Sequence, residues 1–290
     1  ESLERSRLKI DFEERRPKQR YIRKEFMTRM ALMSTKKRKR MHVCVLGDVG
    51  AGKSALVTSF CTNRSPSSRG HQPPFRKPAK TVAMDYAAKR MELNDNDDGN
   101  DTESVSLEIC ITDFSGNDCY RDARYATYDD SSRDIDAFLI VVANNRGGDL
   151  NKSLRLVQSK WFEEVARYVN SAKRQNRRSL PPCVCLCVHD FVDDDDDDKN
   201  KLQPDDAFLE RSLDALDAFD RRLTTTASSS SKSTTTEGSQ DSRSHLSISP
   251  ELSSFVASAN AKTGCNVKSI FQRLAKRALE RRESFRGLGG

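Results

Sequence analysis

Residues Val43–Val57 read VCVLGDVGAGKSALV. The run His42–Gly47, HVCVLG, is short, apolar and closed by glycine, which predicts a buried strand. Gly47-Asp48-Val49-Gly50-Ala51-Gly52-Lys53-Ser54 then fits the pattern GxxxxGK[ST], and Ala55, Leu56, Val57 and Phe60 begin an apolar helical run. A strand, a glycine loop and a helix in that order form the setting in which this pattern cradles phosphate. The glycines let main-chain N–H groups turn inward, the helix amino end adds positive dipole, and Lys53 supplies a point charge to the outer phosphates. Ser54 offers a hydroxyl to Mg²⁺. A glycine-rich turn without function does not explain why Lys and Ser follow in that order. Residues Gly47, Asp48, Val49, Gly50, Ala51, Gly52, Lys53, Ser54 and Ala55 are therefore expected to bind nucleotide.

The loop also needs a carboxylate at the end of a neighbouring strand. Val105–Phe114, VSLEICITDF, alternates Val105, Leu107, Ile109 and Ile111 toward one side and so predicts a strand, with Asp113 at its end opening DFSGND. An Asp there can help hold the metal, and Gly116 leaves an N–H for a terminal phosphate. Further strands are predicted at Asp136–Asn144 (DAFLIVVAN) and Cys183–Val188 (CVCLCV), continuous apolar runs suited to parallel strands covered on both faces. Leu154, Val157, Trp161, Val165, Tyr168 and Val169 recur at helical spacing, as do Val267, Ile270, Phe271, Leu274, Ala278 and Leu279. Strands alternating with helices predict a doubly wound α/β domain.

The whole chain sets the bounds on this core. Its 290 residues carry 50 basic and 43 acidic side chains, a net of +7, and only 36% hydrophobic residues, so much of it is expected outside any core. The longest apolar stretch, Ala137–Ala143, falls far short of the roughly 18–20 residues of a membrane helix. Glu1 opens the sequence without an apolar leader, so no signal peptide is expected. Residues 1–40 are basic and expected to be a flexible extension able to touch acidic membrane or nucleic acid, or to act as a nuclear import signal. The domain is expected over residues 41–282, with an acidic and Ser/Thr-rich insertion at 193–250 and a tail at 283–290. Within the insertion, Thr224–Ser244 is expected to be disordered. Before it, PDDAFLERSLDALDAFDRRL puts Leu209, Leu213, Leu216, Phe219 and Leu223 on one helical face that packs on the domain or meets a partner. Three of the eight cysteines alternate in CVCLC, as small buried side chains in a reducing, intracellular and cytoplasmic setting. Cys110 and Cys119 have no second pair or nearby His to complete a zinc site.

With these motifs the chain resembles the Ras superfamily of small GTPases, P-loop NTPases of the doubly wound three-layer kind, over about Met41–Val192 and Ser254–Arg282. HVCVLGDVGAGKSALV is similar to the first motif, KPAKTVAMDYAAKRMEL to the first switch and second strand, DFSGNDCYR to the DxxGQE segment, and NAKTGCNVKSIFQRLAKRAL to the SAK motif with the last helix. The resemblance implies a mostly parallel sheet of about six strands and a GTP/GDP switch with slow hydrolysis. It implies metal ligation by Ser54, Thr81 and Asp113, base contacts from Ala261 and Lys262, and effector and regulator proteins at the switch segments. Lys53 and Asn117 are the catalytic candidates.

Three departures bear on that reading. Asn117 stands where the family has a water-orienting Gln and is one methylene shorter, which is expected to slow hydrolysis. Val49 puts a β-branched side chain beside the terminal phosphate. The guanine motif NKxD is degenerate: in the register that begins at Asp190, only Asp193 matches its final Asp. The last cysteine is Cys265, so carboxyl-terminal prenylation is not expected, and peripheral membrane or nuclear association would fall to the basic stretch. The alternatives are a pseudo-GTPase interaction module and, with less support, a P-loop ATPase or nucleotide kinase.

Overall fold

The computed structural model describes residues 39–64, 78–93, 105–130, 134–144, 149–175, 182–190, 206–228 and 254–287. Six strands form one sheet: β1 (Lys39–Leu46), β2 (Met84–Leu93), β3 (Val105–Phe114), β4 (Ala137–Asn144), β5 (Cys183–Asp190) and β6 (Phe255–Ala259), in the order β2-β3-β1-β4-β5-β6. β1, β4, β5 and β6 pair in parallel, while β2 runs antiparallel to β3 from Met84↔Phe114 to Leu93↔Val105. The fold is thus α/β with a mostly parallel sheet.

Five helices cover it. They are α1 (Lys53–Cys61), α2 (Arg121–Asp129), α3, α4 (Asp206–Ser228) and α5 (Val267–Gly287); α3 consists of Leu150–Leu156, a π-helical turn Val157–Trp161, and Phe162–Arg174. α1 and α5 pack on one face, with Phe60 and Phe271 stacked at 3.9 Å between centroids. α2, α3 and α4 pack on the other, where Phe162 stacks on Phe219 at 4.3 Å. β5 serves both layers, because its pleat sends Cys183, Cys185 and Cys187 to the first core and Val184, Leu186 and Val188 to the second. Burial lifts the Cys183 thiol to about 12 and raises those of Cys185 and Cys187 as well, so the three behave as apolar side chains.

Several expected boundaries shift. β1 begins at Lys39, inside the basic stretch, because Arg40 Nε reaches Glu108 Oε2 at 2.7 Å on the adjacent strand and Arg282 Nη1 donates to the Arg40 carbonyl at 2.8 Å. α5 runs to Gly287, into the expected tail. The helix expected inside the insertion belongs to the core: Phe208, Ser212, Ala215, Leu216, Phe219 and Leu223 are buried, while Leu213 remains 46% exposed, since the buried stripe lies about one residue around the helix from the expected face. α4 also continues through Thr224–Ser228, the first residues of the tract expected to be disordered; the rest of that tract and residues 1–38 lie outside the described residues. Among the described residues no helix is long and apolar enough to cross a membrane.

Candidate functional site

The sheet order fixes where a ligand can sit. Beyond β1 the chain fills the β3 side first and then crosses to β4, so the crossovers diverge at the carboxyl end of β1 and leave a crevice there. The loop Gly47–Ser54 occupies that crevice. Gly47, Gly50 and Gly52 adopt φ of 138°, 81° and 90°, backbone that other residues rarely reach. At Gly47 a Cβ would stand 2.3 Å from the Val141 carbonyl oxygen, so glycine is also required by the contact with β4.

Lys53 opens α1 and turns back into the loop, donating from Nζ to the Gly47 carbonyl at 2.9 Å and the Asp48 carbonyl at 2.7 Å. Burial pushes its pKa down to about 8, partly offset by Asp113 and Asp48. Beside it, Ser54 Oγ donates to Asp113 Oδ2 at 2.5 Å and lies 2.8 Å from Thr81 Oγ1, which itself stands 3.3 Å from Asp113 Oδ2. Two hydroxyls and a carboxylate from three separate segments therefore meet at one point. Asp113 Oδ1 is buried and has no hydrogen-bond partner among the described residues. Burial raises the Asp113 pKa, with Ser54 and Lys53 opposing the rise. An all-oxygen set with an unsatisfied buried carboxylate oxygen suits a hard divalent cation such as Mg²⁺, and Ser54, Thr81 and Asp113 are the residues that would hold it.

These groups border a cavity of about 680 Å³. It is lined by Val49, Gly50, Gly52, Lys53, Ser54 and Ala55 of the loop, by Pro78, Ala79, Lys80 and Thr81, by Ser115 and Gly116, and by His189, Asp190, Ala261 and Lys262. Gly47, Asp48 and Ala51, also expected to bind nucleotide, do not line it. Val49 projects with 59% of its surface exposed. Asp193 lies outside the described residues; His189 and Asp190, at the end of β5, line the cavity.

The DFSGND loop is held from two sides. A Cβ on Gly116 would lie 2.4 Å from the Gly47 carbonyl oxygen and 2.5 Å from the Val49 nitrogen, so this loop rests directly on the first. From α3, Lys160 Nζ reaches Gly116 O at 3.4 Å, Asp118 Oδ1 at 2.8 Å and Asp48 Oδ1 at 3.7 Å, and Trp161 Nε1 donates to Asp48 Oδ1 at 3.3 Å. Both residues sit in the π-helical turn, whose extra residue brings Lys160 and Trp161 to the same side. Arg124, fully buried, donates to the Ser115 and Asn117 carbonyls at 3.0 and 3.1 Å and grips Glu164 in bidentate fashion. Asn117 does not line the cavity: its Oδ1 accepts the Cys119 N–H at 3.1 Å and caps the turn Asp118–Tyr120.

No protein-family model and no curated protein matches the chain. The sequence pointed to the loop, Thr81, Asp113, Gly116, Ala261 and Lys262, and all of these gather around one crevice. Missing from that reading were Arg124, Lys160, Trp161 and Glu164, whose Arg, Lys, Trp and Glu have no motif spacing; only Trp161, alone in the sequence, carried any signal.

The lowered Lys53 pKa sets a pH dependence for anion binding. A phosphate oxygen favours the charged ammonium, so above about pH 8 the free protein must take up a proton on binding. Affinity for a ligand phosphate at this position would then fall by up to about tenfold per pH unit above pH 8. Titrations across that range check it, and Lys53→Arg, whose guanidinium does not titrate, is expected to remove the slope.

Proposed function

We propose that this chain is a divergent Ras-like small GTPase, a P-loop protein that binds GTP and GDP with Mg²⁺ and acts as a switch with slow hydrolysis. The observation that carries the reading is the convergence of Ser54, Thr81 and Asp113 beside Lys53 at the carboxyl end of β1. In such a site the metal, when bound, neutralises charge on the outer phosphates. The chain's own work is then to hold and orient. Lys53 is fixed by two carbonyls and loses little freedom on meeting a phosphate, Gly116 presents its main chain over the loop, and Thr81 ties the preceding segment to Ser54 and Asp113.

Slow turnover follows from two placements. The Asn117 carboxamide is committed to the Cys119 N–H, and Val49 extends its branched side chain at the phosphate end, where an attacking water must line up. Partner proteins would meet the segment around Thr81, where Val82 and Tyr86 are 67% and 50% exposed. The Asn117 cap also favours a second reading, an interaction module that holds nucleotide without turning it over. Titration with fluorescent GTP and GDP analogues with and without Mg²⁺, followed by phosphate release, separates the two: binding with slow release supports the switch, binding without release supports the module, and no binding removes both.

A further inference from the structure

On the nucleotide reading above, the base would meet the part of the cavity lined by His189, Asp190, Ala261 and Lys262. Base selection requires donors and acceptors that a wrong base would leave unpaired. In the turn after β6, the main-chain N–H groups of Ala261, Lys262, Thr263 and Gly264 are all engaged. The Ala261 N–H donates to His189 Nε2 at 3.2 Å, and the Lys262 and Thr263 N–H groups both donate to Asn260 Oδ1, at 2.9 and 3.0 Å. The Gly264 N–H closes the turn on the Asn260 carbonyl at 2.9 Å.

His189 is the unusual member. It ends β5 against the phosphate loop, so close that a Cβ on Gly52 would stand 2.6 Å from its Nδ1. The ring is 3% exposed, and burial alone pushes its pKa down to about 4, so at pH 7 it is neutral and can accept at Nε2. The imidazole therefore bridges the glycine loop and the Asn260–Gly264 turn and occupies the main-chain donor nearest the cavity. What the same end does offer is an acceptor: Asp190, whose Oδ1 takes one hydrogen bond from Asn144 Nδ2 at 2.8 Å, borders the cavity with its carboxylate.

We propose that His189 relaxes base selection, so that this site accepts 6-amino purine nucleotides (ADP, ATP) about as readily as 6-oxo ones (GDP, GTP). A 6-oxo group finds no main-chain donor waiting for it, and a 6-amino group leaves none stranded. The Asp190 carboxylate can accept from N1–H of a 6-oxo purine or, with the base shifted, from the 6-amino group of the other. Removing the imidazole leaves the Ala261 N–H to the ligand; a carbonyl at position 6 then gains a partner, whereas an amino group leaves the N–H unpaired.

Competition titrations with GDP and ADP against one fluorescent nucleotide, on the wild-type chain and on His189→Ala, test this. Thermal melting shows whether the variant folds. The expected wild-type ratio of dissociation constants, ADP over GDP, is below about tenfold, and His189→Ala is expected to raise it by about tenfold or more. A wild-type ratio above about tenfold overturns the proposal, as does a folded His189→Ala with an unchanged ratio. If the variant does not fold, the wild-type ratio alone decides. Loss of binding to both nucleotides would instead bring down the nucleotide reading itself and this proposal with it, an outcome distinct from strong binding of GDP alone.

Discussion

Replacing Arg124 with Ala is expected to lower the free energy of unfolding by about 3–5 kcal/mol, the usual consequence of leaving one member of a buried ion pair behind. Arg124 Nε stands 2.9 Å and Nη2 2.7 Å from the two Glu164 oxygens, and the Tyr128 hydroxyl donates to the same carboxylate at 3.2 Å. The guanidinium also lies 5.3 Å from the Trp161 ring. Without it Glu164 stays buried with a single hydroxyl donor, the Ser115 carbonyl loses its guanidinium donor and the Asn117 carbonyl keeps the Tyr120 N–H alone. Urea unfolding measures the loss. Arg124→Met combined with Glu164→Leu is expected to recover most of it, because a paired apolar replacement leaves no charge stranded. A loss below about 1 kcal/mol would contradict the arrangement.

Lys53→Met is expected to act in the opposite sense on stability and strongly on binding. The ammonium is buried with a lowered pKa, so its removal spares the folded state a desolvated charge, and the melting temperature is expected to hold or rise. Affinity for GDP is expected to fall by about a hundredfold, the equivalent of roughly 3 kcal/mol for a preorganised charge-assisted contact with phosphate. Measuring both on the same preparation distinguishes a lost ligand contact from a damaged fold. Unchanged affinity in a folded variant would remove Lys53 from the site.

Much of this was legible from residues 42–57 and 105–114, because an apolar run closed by glycine and an alternating run closed by Asp each have one economical structural outcome. β3 begins and ends where its alternation does, and β5 continues just two residues past its apolar run. The parts that stayed hidden depend on contacts between distant segments. Nothing local marks Arg40 as a strand residue until Glu108 and Arg282 are beside it. On α4, Leu216, Phe219 and Leu223 lie on the buried line as expected, but that line continues through Phe208, Ser212 and Ala215 and leaves Leu213 outside. The same holds within the site. The GxxxxGK[ST] spacing is short-range and readable, whereas the roles of His189 and Lys160 arise from the crossing of β5 and α3 past the two loops.

Asn117 illustrates the difference between a residue type and its placement. Its length alone suggested a poorly aimed amide. In the fold the amide is aimed elsewhere, at the Cys119 N–H, so the slow hydrolysis proposed above would have a conformational reason beside the steric one.

The Mg²⁺ dependence of nucleotide binding tests the central claim most directly. Fluorescent GDP is titrated into the wild-type chain and Asp113→Asn, each with millimolar Mg²⁺ and with a chelator. Tightening by about tenfold or more with Mg²⁺ is expected for the wild type and is expected to vanish in Asp113→Asn, since the carboxylate with the unsatisfied oxygen is gone. Equal affinity with and without Mg²⁺, or no binding under either condition, would contradict it.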